Sequence, residues 1–428
     1  PWLAHASIGP SCALARWRDG AEPTGPASPA GPEAPALEVW THSQGIFPLR
    51  RDLALAFGLQ ETEVVVHHRP GAGCYGHNGA DDAAFDAAWL ARRVPGRPVR
   101  VLWSREDDLA RAPLGPAMLV QMEARLDEAG RIVSWTHALW SPGHSSRPGR
   151  AAVPALLGHA QREGGTPLPP AIDMPMTVGG GSDRNAIPGY DLPAWRVTAH
   201  LVRAPWRSSA LRSLGALGNV FAAESFLDEI AQATGRDPLA LRESLLGHDP
   251  RGLAVLRAAA AAEAGPWHDE PDGHGAQGHG LAYARYKGTG AWCAVLARVE
   301  VAAALSVRRL VVVADVGRVV DADGAVQQLE GGAIQATSWA LKEAVQPGED
   351  GRTPASGPGA VPMLSFSEVP EVQVVLMPSD GAPLGAGEAS VGPTVAAIAN
   401  ALARALGVRV RELPLTPARI RAAIEAQA

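Results

Sequence analysis

Three cysteines, two lysines and an aromatic share of 5% stand out as shortages in this 428-residue chain. Cys12, Cys74 and Cys293 cannot build a disulfide scaffold. They form no C-x-x-C pair, so they supply no zinc ribbon, iron–sulfur ligand set or haem attachment site. Lys287 and Lys342 are the only lysines among 38 basic residues. That bias, with the abundant alanine, reads as the coding habit of a GC-rich genome. Neither sign of charge dominates: 44 acidic residues leave a net charge of −6, which attracts neither nucleic acid nor an anionic membrane. No apolar run reaches the roughly 18–20 residues that span a bilayer, and runs such as Leu310–Ala314 are strand-sized. A nucleophile elbow, a Walker loop and H-E-x-x-H are also missing.

What is present is core material. Hydrophobic residues make up 46% and charged residues 19%, enough for two or three domains. Short β-branched or apolar runs predict strands at Leu37–Thr41, Glu63–His68, Val99–Trp103, Trp195–Arg203, His279–Tyr286, Trp292–Ala302, Arg308–Val316, Glu371–Met377 and Val408–Arg411. Met118–Asp127 and Arg131–Trp140 read as an antiparallel pair across a turn. Helical spacing predicts helices at Pro48–Phe57, from Asp81 to about Arg93, and at Gly218–Thr234, Asp237–Leu246, Gly252–Ala264, Ala325–Glu343, Pro393–Leu406 and Pro417–Ala426. Asp19–Ala36 reads as a loop. Ser141–Tyr190 lacks periodicity and reads as a long loop of the kind that serves as a lid or subunit contact. Strands mixed with helices and hairpins predict an α+β class, not a doubly wound sheet.

Four constellations could carry chemistry. GAGCYGHNG, Gly71–Gly79, lies between a strand and a helix. Gly71, Gly73 and Gly76 fit G-x-G-x-x-G spacing, but Asp81 and Asp82 already occupy the positive end of the next helix, against a pyrophosphate there. A plain turn is the alternative. In PLGAGEASVGP, Pro383–Pro393, Glu388 could be a general base with little steric obstruction, or a helix-capping acid. In ALRSLGALG, Ala210–Gly218, Arg212 and Ser213 precede a helix, and the turn could aim N–H groups at an oxyanion; otherwise Arg212 is simply solvated. His67 and His68 are strand neighbours on opposite faces, which suits one core and one surface histidine better than a shared metal.

Together these segments resemble the molybdenum-binding large subunit of the xanthine oxidase and aldehyde oxidase family. The resemblance is to the branch of isoquinoline 1-oxidoreductase and cytochrome-linked nicotinate dehydrogenase. It is carried by PWLAHASIGPSCA, VWTHSQG, GAGCYGHNGADDAA, WRSSALRSLGALGNVFAAESFLDEIA, DVGRVVDADGAVQQLEGGAIQATSWALKE and GAGEASVGPTVAAIANAL, in order, from residue 1 to about 420. It implies two molybdopterin-binding α+β domains, 1–190 and 191–428, the second holding the catalytic glutamate. It implies hydroxylation of an N-heteroaromatic carbon, nicotinate- or isoquinoline-like, with oxygen from water and Glu388 as the base. Molybdenum would be held through a pterin, in its cytosine dinucleotide form in that branch, and not by protein side chains. Gln44, Gly73, Cys74, Tyr75, Gly76, Arg212, Ser213, Gln328 and Gly387 would surround that cofactor. Electrons would pass to a small iron–sulfur subunit with two clusters, and a cytochrome c acceptor is a further partner of the branch.

There are departures. The family's glycine loop usually has Phe at the place of Cys74, and the acid that serves purine substrates falls near Asn78, against xanthine. The Met-Gly-Gln-Gly cofactor motif is missing, and HGAQGHG around Gln277 does not replace it. The chain, which starts at Pro1 without Met, is therefore expected to be the carboxy-terminal part of a longer subunit or one half of a split one, needing an upstream half. The compartment stays open between bacterial cytoplasm and periplasm. Aldehyde oxidation on the same scaffold and a catalytically incomplete structural half are the alternatives.

Overall fold

The computed structural model describes residues 1–18, 35–262, 275–350, 354–357 and 359–427. Most of the expected loop Asp19–Ala36 lies outside them, as do the last two residues of the helix expected at Gly252–Ala264. The first sheet joins β1 (Cys12–Trp17), β2 (Leu37–Thr41), β3 (Val64–His68) and β4 (Val99–Leu102) in the order β3-β2-β1-β4. Helices α1 (Ile46–Phe57) and α2 (Ala80–Ala91) cover it. Leu49, Leu53, Phe57, Phe85 and Ala88 pack there against Ala15, Leu37 and Val39. β1 escapes sequence reading, yet its inward positions Ala13, Ala15 and Trp17 alternate as a half-buried strand requires. Also unread is α3 (Arg105–Arg111), although Ser104 and Asp107 form its capping box.

A second sheet joins β5 (Leu119–Leu126), β6 (Ile132–Ser141) and β7 (Trp195–Leu201), and the expected β5–β6 pair is antiparallel. The stretch between β6 and β7 is mostly irregular, with the short α4 (Leu157–Gln161), but it is firmly held. Buried carboxylates collect its backbone N–H groups. Asp52 accepts from Gly149 and Ala155, and Asp82 from Leu157. Asp82 also takes an ion pair from Arg207 at 2.6 Å. Asp81 and Asp82 are thus ties within the core, not merely charges suited to a helix dipole.

The carboxy-terminal half is layered. Helices α5 (Ala216–Ala233), α6 (Pro238–Leu245) and α7 (Pro250–Ala261) precede the third sheet. That sheet is β8 (Ala276–Arg285), β9 (Trp292–Val301), β10 (Leu305–Asp315) and β11 (Glu371–Leu376), in the order β11-β10-β9-β8. Its central strands are apolar on both faces because both are covered. Ala294, Leu296, Val311 and Val313 face α7. Val295, Ala297, Val312 and Ala314 face α8 (Ala322–Leu341) and α9 (Val391–Leu406). α9 lies almost on β8: a Cβ at Gly280 would stand 2.1 Å from the Ala397 carbonyl oxygen. The chain closes with α10 (Pro417–Glu425). The expected strand Val408–Arg411 does not form. Val408 and Val410 are buried, but the segment has no ladder partner, and Arg409 donates to Asn400 Oδ1 at 2.6 Å instead. His67 is half-buried rather than core. It stacks on Trp40, beside Glu38.

Just after α8, burial pushes the Glu343 carboxyl up to about 7, against a bond donated by Ser338 Oγ. An acid raised in the folded state binds more protons there than in the unfolded chain. Its contribution therefore falls as pH rises from about 4.5 to about 7, and is lowest above that. Glu343→Gln is expected to leave the thermal midpoint at pH 5 nearly unchanged. At pH 8 it should stabilise by about 1–3 kcal/mol. Equal shifts at both pH values would show that Glu343 is not the titrating group.

Candidate active site

β2 and β3 run parallel, so the loops that leave them emerge on one edge of the first sheet. Gln44 lies in the first loop and Gly71–Gly79 in the second. They meet directly: Gln44 Nε2 donates to Cys74 Sγ at 2.9 Å. Arg147, from the long irregular stretch, donates to Gln44 Oε1 at 2.6 Å, which turns the amide N–H₂ toward the glycine loop.

The glycine loop is bonded to a second loop, 207–215. Gly76 pairs with Leu211, and His77 N–H donates to the Ala210 carbonyl at 2.8 Å. Gly76 has φ +131°, and a Cβ there would lie 2.1 Å from that carbonyl oxygen. Only glycine permits this approach. Gly73 tucks under the Tyr75 ring. Beneath the loop, His77 Nε2 stands 2.9 Å from Asp81 Oδ2 and Nδ1 stands 2.8 Å from Ser209 Oγ. The order resembles a Ser–His–Asp hydrolytic set. Ser209 is fully buried and its Oγ accepts from Ser146 N–H, so it is a structural tie and not a nucleophile.

Arg212 joins three further segments. Its backbone N–H donates to Tyr75 O at 2.7 Å. Its guanidinium donates to Gly387 O, to Gln328 O at 2.8 Å and to Gln335 Oε1 at 3.3 Å. Burial lowers its pKa, and the Glu388 charge opposes that. A sharp turn with φ +73° at Ser213 and +50° at Leu214 follows. There the Ser213 N–H donates to Glu388 Oε1 at 2.9 Å. Ser390, not Glu388, occupies the N-cap of α9, so Glu388 is no capping acid.

Tyr286, just after β8, faces the same carboxylate with its hydroxyl. Burial and the Glu388 charge raise its pKa. Arg184 donates to the Tyr286 hydroxyl and to the carbonyls of Gly179 and Gly180. Asn219 on α5 locks that turn by donating to Ser182 O and Arg184 O. Glu388 therefore holds two donors, and a carboxylate has about four lone-pair sites, so capacity for a proton remains.

All ten residues singled out in the sequence fall into this one bonded cluster: Gln44, Gly73, Cys74, Tyr75, Gly76, Arg212, Ser213, Gln328, Gly387 and Glu388. Arg147, Arg184, Tyr286 and Gln335 join them unannounced. Gln335 could have been found, because it lies seven residues after Gln328 on the same helical face. The others come from segments without a pattern. An apolar cavity of about 840 Å³, lined by Leu119, Met122, Leu217, Phe221 and Leu413, borders this cluster at Leu211, Arg212 and Leu214. Among the described residues no group of three His, Cys, Asp or Glu could hold a metal ion. No helix among them is long and apolar enough to cross a membrane.

Residues 22–163 and 249–370 each match a molybdopterin cofactor-binding domain family, together more than half of the chain. A nicotinate dehydrogenase subunit of Pseudomonas putida is 36% identical over 99% of this chain and 34% of its own length. The beta subunit of isoquinoline 1-oxidoreductase from Brevundimonas diminuta is 32% identical over 90% of this chain and 46% of its own. The chain thus spans between a third and a half of these curated relatives. Quinoline 2-oxidoreductase of Pseudomonas putida 86 has the same fold, with a TM-score of 0.76, 14% identity, and coverage of 99% of this chain and 75% of that one. Aldehyde oxidoreductase of Desulfovibrio desulfuricans gives 0.74 at 16% identity, over 98% of this chain and 60% of that one.

Proposed function

We propose, for a chain that belongs to the molybdopterin-binding oxidoreductases of the xanthine oxidase family, that Glu388 is the general base in hydroxylation of an N-heteroaromatic carbon with oxygen from water. The observation that carries this reading is Arg212. One side chain and its backbone N–H gather the glycine loop, α8 and the Gly387–Glu388 loop around one spot.

The residues there fit a molybdenum–pterin group. Ser213 Oγ is buried without a hydrogen-bond partner among the described residues, as a ligand-facing hydroxyl would be. Gly387 leaves open the space that a Cβ would fill, 3.2 Å from Gln328 Oε1. Gln44, the backbone of Gly73–Gly76, Arg212, Ser213 and Gln328 would hold the group, proposed in its cytosine dinucleotide form. When bound, it supplies the two-electron acceptor that the ring carbon needs. Glu388 takes the proton of the water-derived nucleophile on its carboxylate, while Ser213 N–H keeps that carboxylate in place. The glycine neighbours leave room for a planar ring. Tyr286, itself held by Arg184, faces the base with its hydroxyl.

Electrons would leave through a separate iron–sulfur subunit, with a cytochrome c as a further acceptor and the upstream half of the large subunit as a third partner. The test is turnover by the assembled complex of nicotinate, isoquinoline and benzaldehyde in ¹⁸O-labelled water. Labelled hydroxyl on a heteroaromatic ring is the expected result. Oxidation of benzaldehyde alone would replace this reading with aldehyde oxidation, and unlabelled product would remove water as the oxygen source.

A further inference from the structure

Arg147 reaches the site from the long irregular stretch. Its guanidinium is half-buried, and burial lowers its pKa against the opposing charges of Asp81, Cys74 and Glu388. Among the described residues that guanidinium makes one hydrogen bond, to Gln44 Oε1 at 2.6 Å, and no ion pair. Arg207 and Arg242, which tie elements together in the core, take acids instead: Asp82 in one case, Glu224 and Asp228 in the other.

The backbone that carries Arg147 is fixed on both sides. Ser146 N–H donates to Ser209 Oγ and Gly149 N–H to Asp52 Oδ1, both at 3.0 Å. The Ser145 carbonyl accepts from Ile172 N–H at 2.9 Å. Pro148 follows directly, and a residue before proline is confined to extended conformations. Ser209 is bound in turn to His77, and His77 to Asp81. The buried Ser209–His77–Asp81 chain thus helps to fix the point from which the Arg147 side chain sets out.

The two ends of the Gln44 amide have nearly the same shape and opposite chemistry: the oxygen accepts and the nitrogen donates. A guanidinium has five N–H donors and no acceptor. Arg147 can therefore hold only the oxygen, which leaves the N–H₂ on the side of the glycine loop. One of its hydrogens goes to Cys74 Sγ, a weak acceptor. The other has no acceptor among the described residues and remains for a ligand.

We propose that Arg147 is a positioning residue: it fixes the Gln44 amide so that Gln44 meets the anionic molybdenum–pterin group as a donor and not as an acceptor. This rests on the placement of that group among Gln44, Arg212, Ser213 and Gln328. Without Arg147 the amide is free to turn about its last torsion and present lone pairs to an anion.

The experiment follows how fast molybdenum leaves the purified holoenzyme complex in dilute urea, by elemental analysis, beside the thermal midpoint of each variant. Loss about tenfold faster than in the wild type is expected for Arg147→Met and for Gln44→Ala. Because one residue acts through the other, the double variant should lose the metal no faster than Gln44→Ala alone. Arg147→Lys should keep most of the wild-type retention, since an ammonium also only donates. Gln44→Glu can still pair with Arg147 but has no N–H to offer, so it should lose molybdenum as fast as Gln44→Ala. Gln44 is exposed, so its variants read the proposal even if Arg147→Met does not fold. Wild-type retention in Arg147→Met or in Gln44→Glu overturns the proposal. So do additive losses in the double variant, which would mean that Arg147 touches the group itself. In all of those outcomes the wild type still holds molybdenum and the cofactor reading stands. A wild-type complex that holds none would sink that reading, and this proposal with it.

Discussion

Glu388→Gln is expected to lower kcat about 100- to 10,000-fold while the complex keeps its molybdenum. The amide preserves the shape and can still accept the Ser213 N–H on its oxygen, so the bonded cluster around Arg212 should survive. What it cannot do is take up a proton at neutral pH. Metal content and the thermal midpoint separate a lost base from a lost fold. Activity within about tenfold of the wild type would remove Glu388 from the role. Loss of metal along with activity would recast it as a cofactor-holding residue.

Arg242→Met is expected to cost about 3–5 kcal/mol of stability, or to prevent folding. Arg242 has no exposed surface. It donates to Glu224 Oε2 at 2.9 Å and to Asp228 Oδ1 at 2.6 Å. Glu224 in turn accepts Tyr190 OH at 2.7 Å and Tyr283 N–H at 2.9 Å. Removing the guanidinium leaves the buried Glu224 and the partly buried Asp228 without the cation they share. The cost comes from that stranded charge, since apolar replacement of a whole buried network can be close to neutral. The double variant Arg242→Met with Glu224→Gln should therefore recover part of the loss, read as the thermal midpoint of the complex. A double variant less stable than the sum of the singles would mean that packing, not charge, sets the penalty. This network joins α5 and α6 to β8, so its loss should also loosen the Asn219 tie that holds the Arg184 turn.

Elements with a strong local pattern are legible from residues alone. Leu37–Thr41 can be read to the residue, and β9, β10, α8 and α9 to within about three at most ends, because their side chains follow the period of the element they form. β1 cannot, since its six residues mix small, charged and aromatic types and only their neighbours show which face is inward. Val408–Arg411 has β-branched residues but no partner strand, and a ladder is a property of two segments.

The site divides in the same way. Glycine spacing, the arginine loop and the Gly–Glu loop are local, and eight of the ten site residues lie in them, while Gln44 and Gln328 come from the resemblance of their own segments. That they converge is a matter of tertiary structure. Parallel β2 and β3 bring Gln44 to Cys74 across 30 positions, and Arg212 reaches Gly387 across 175. Arg147, Arg184 and Tyr286 lie in aperiodic loops or at a strand end. Nothing in their immediate sequence marks them, because their roles come from partners more than 100 residues away: Gln44, Tyr286 and, through Tyr286, Glu388. The residue types that the chemistry needs are written locally. Which of them meet in one bonded cluster was decided only when the three sheets and their helices packed.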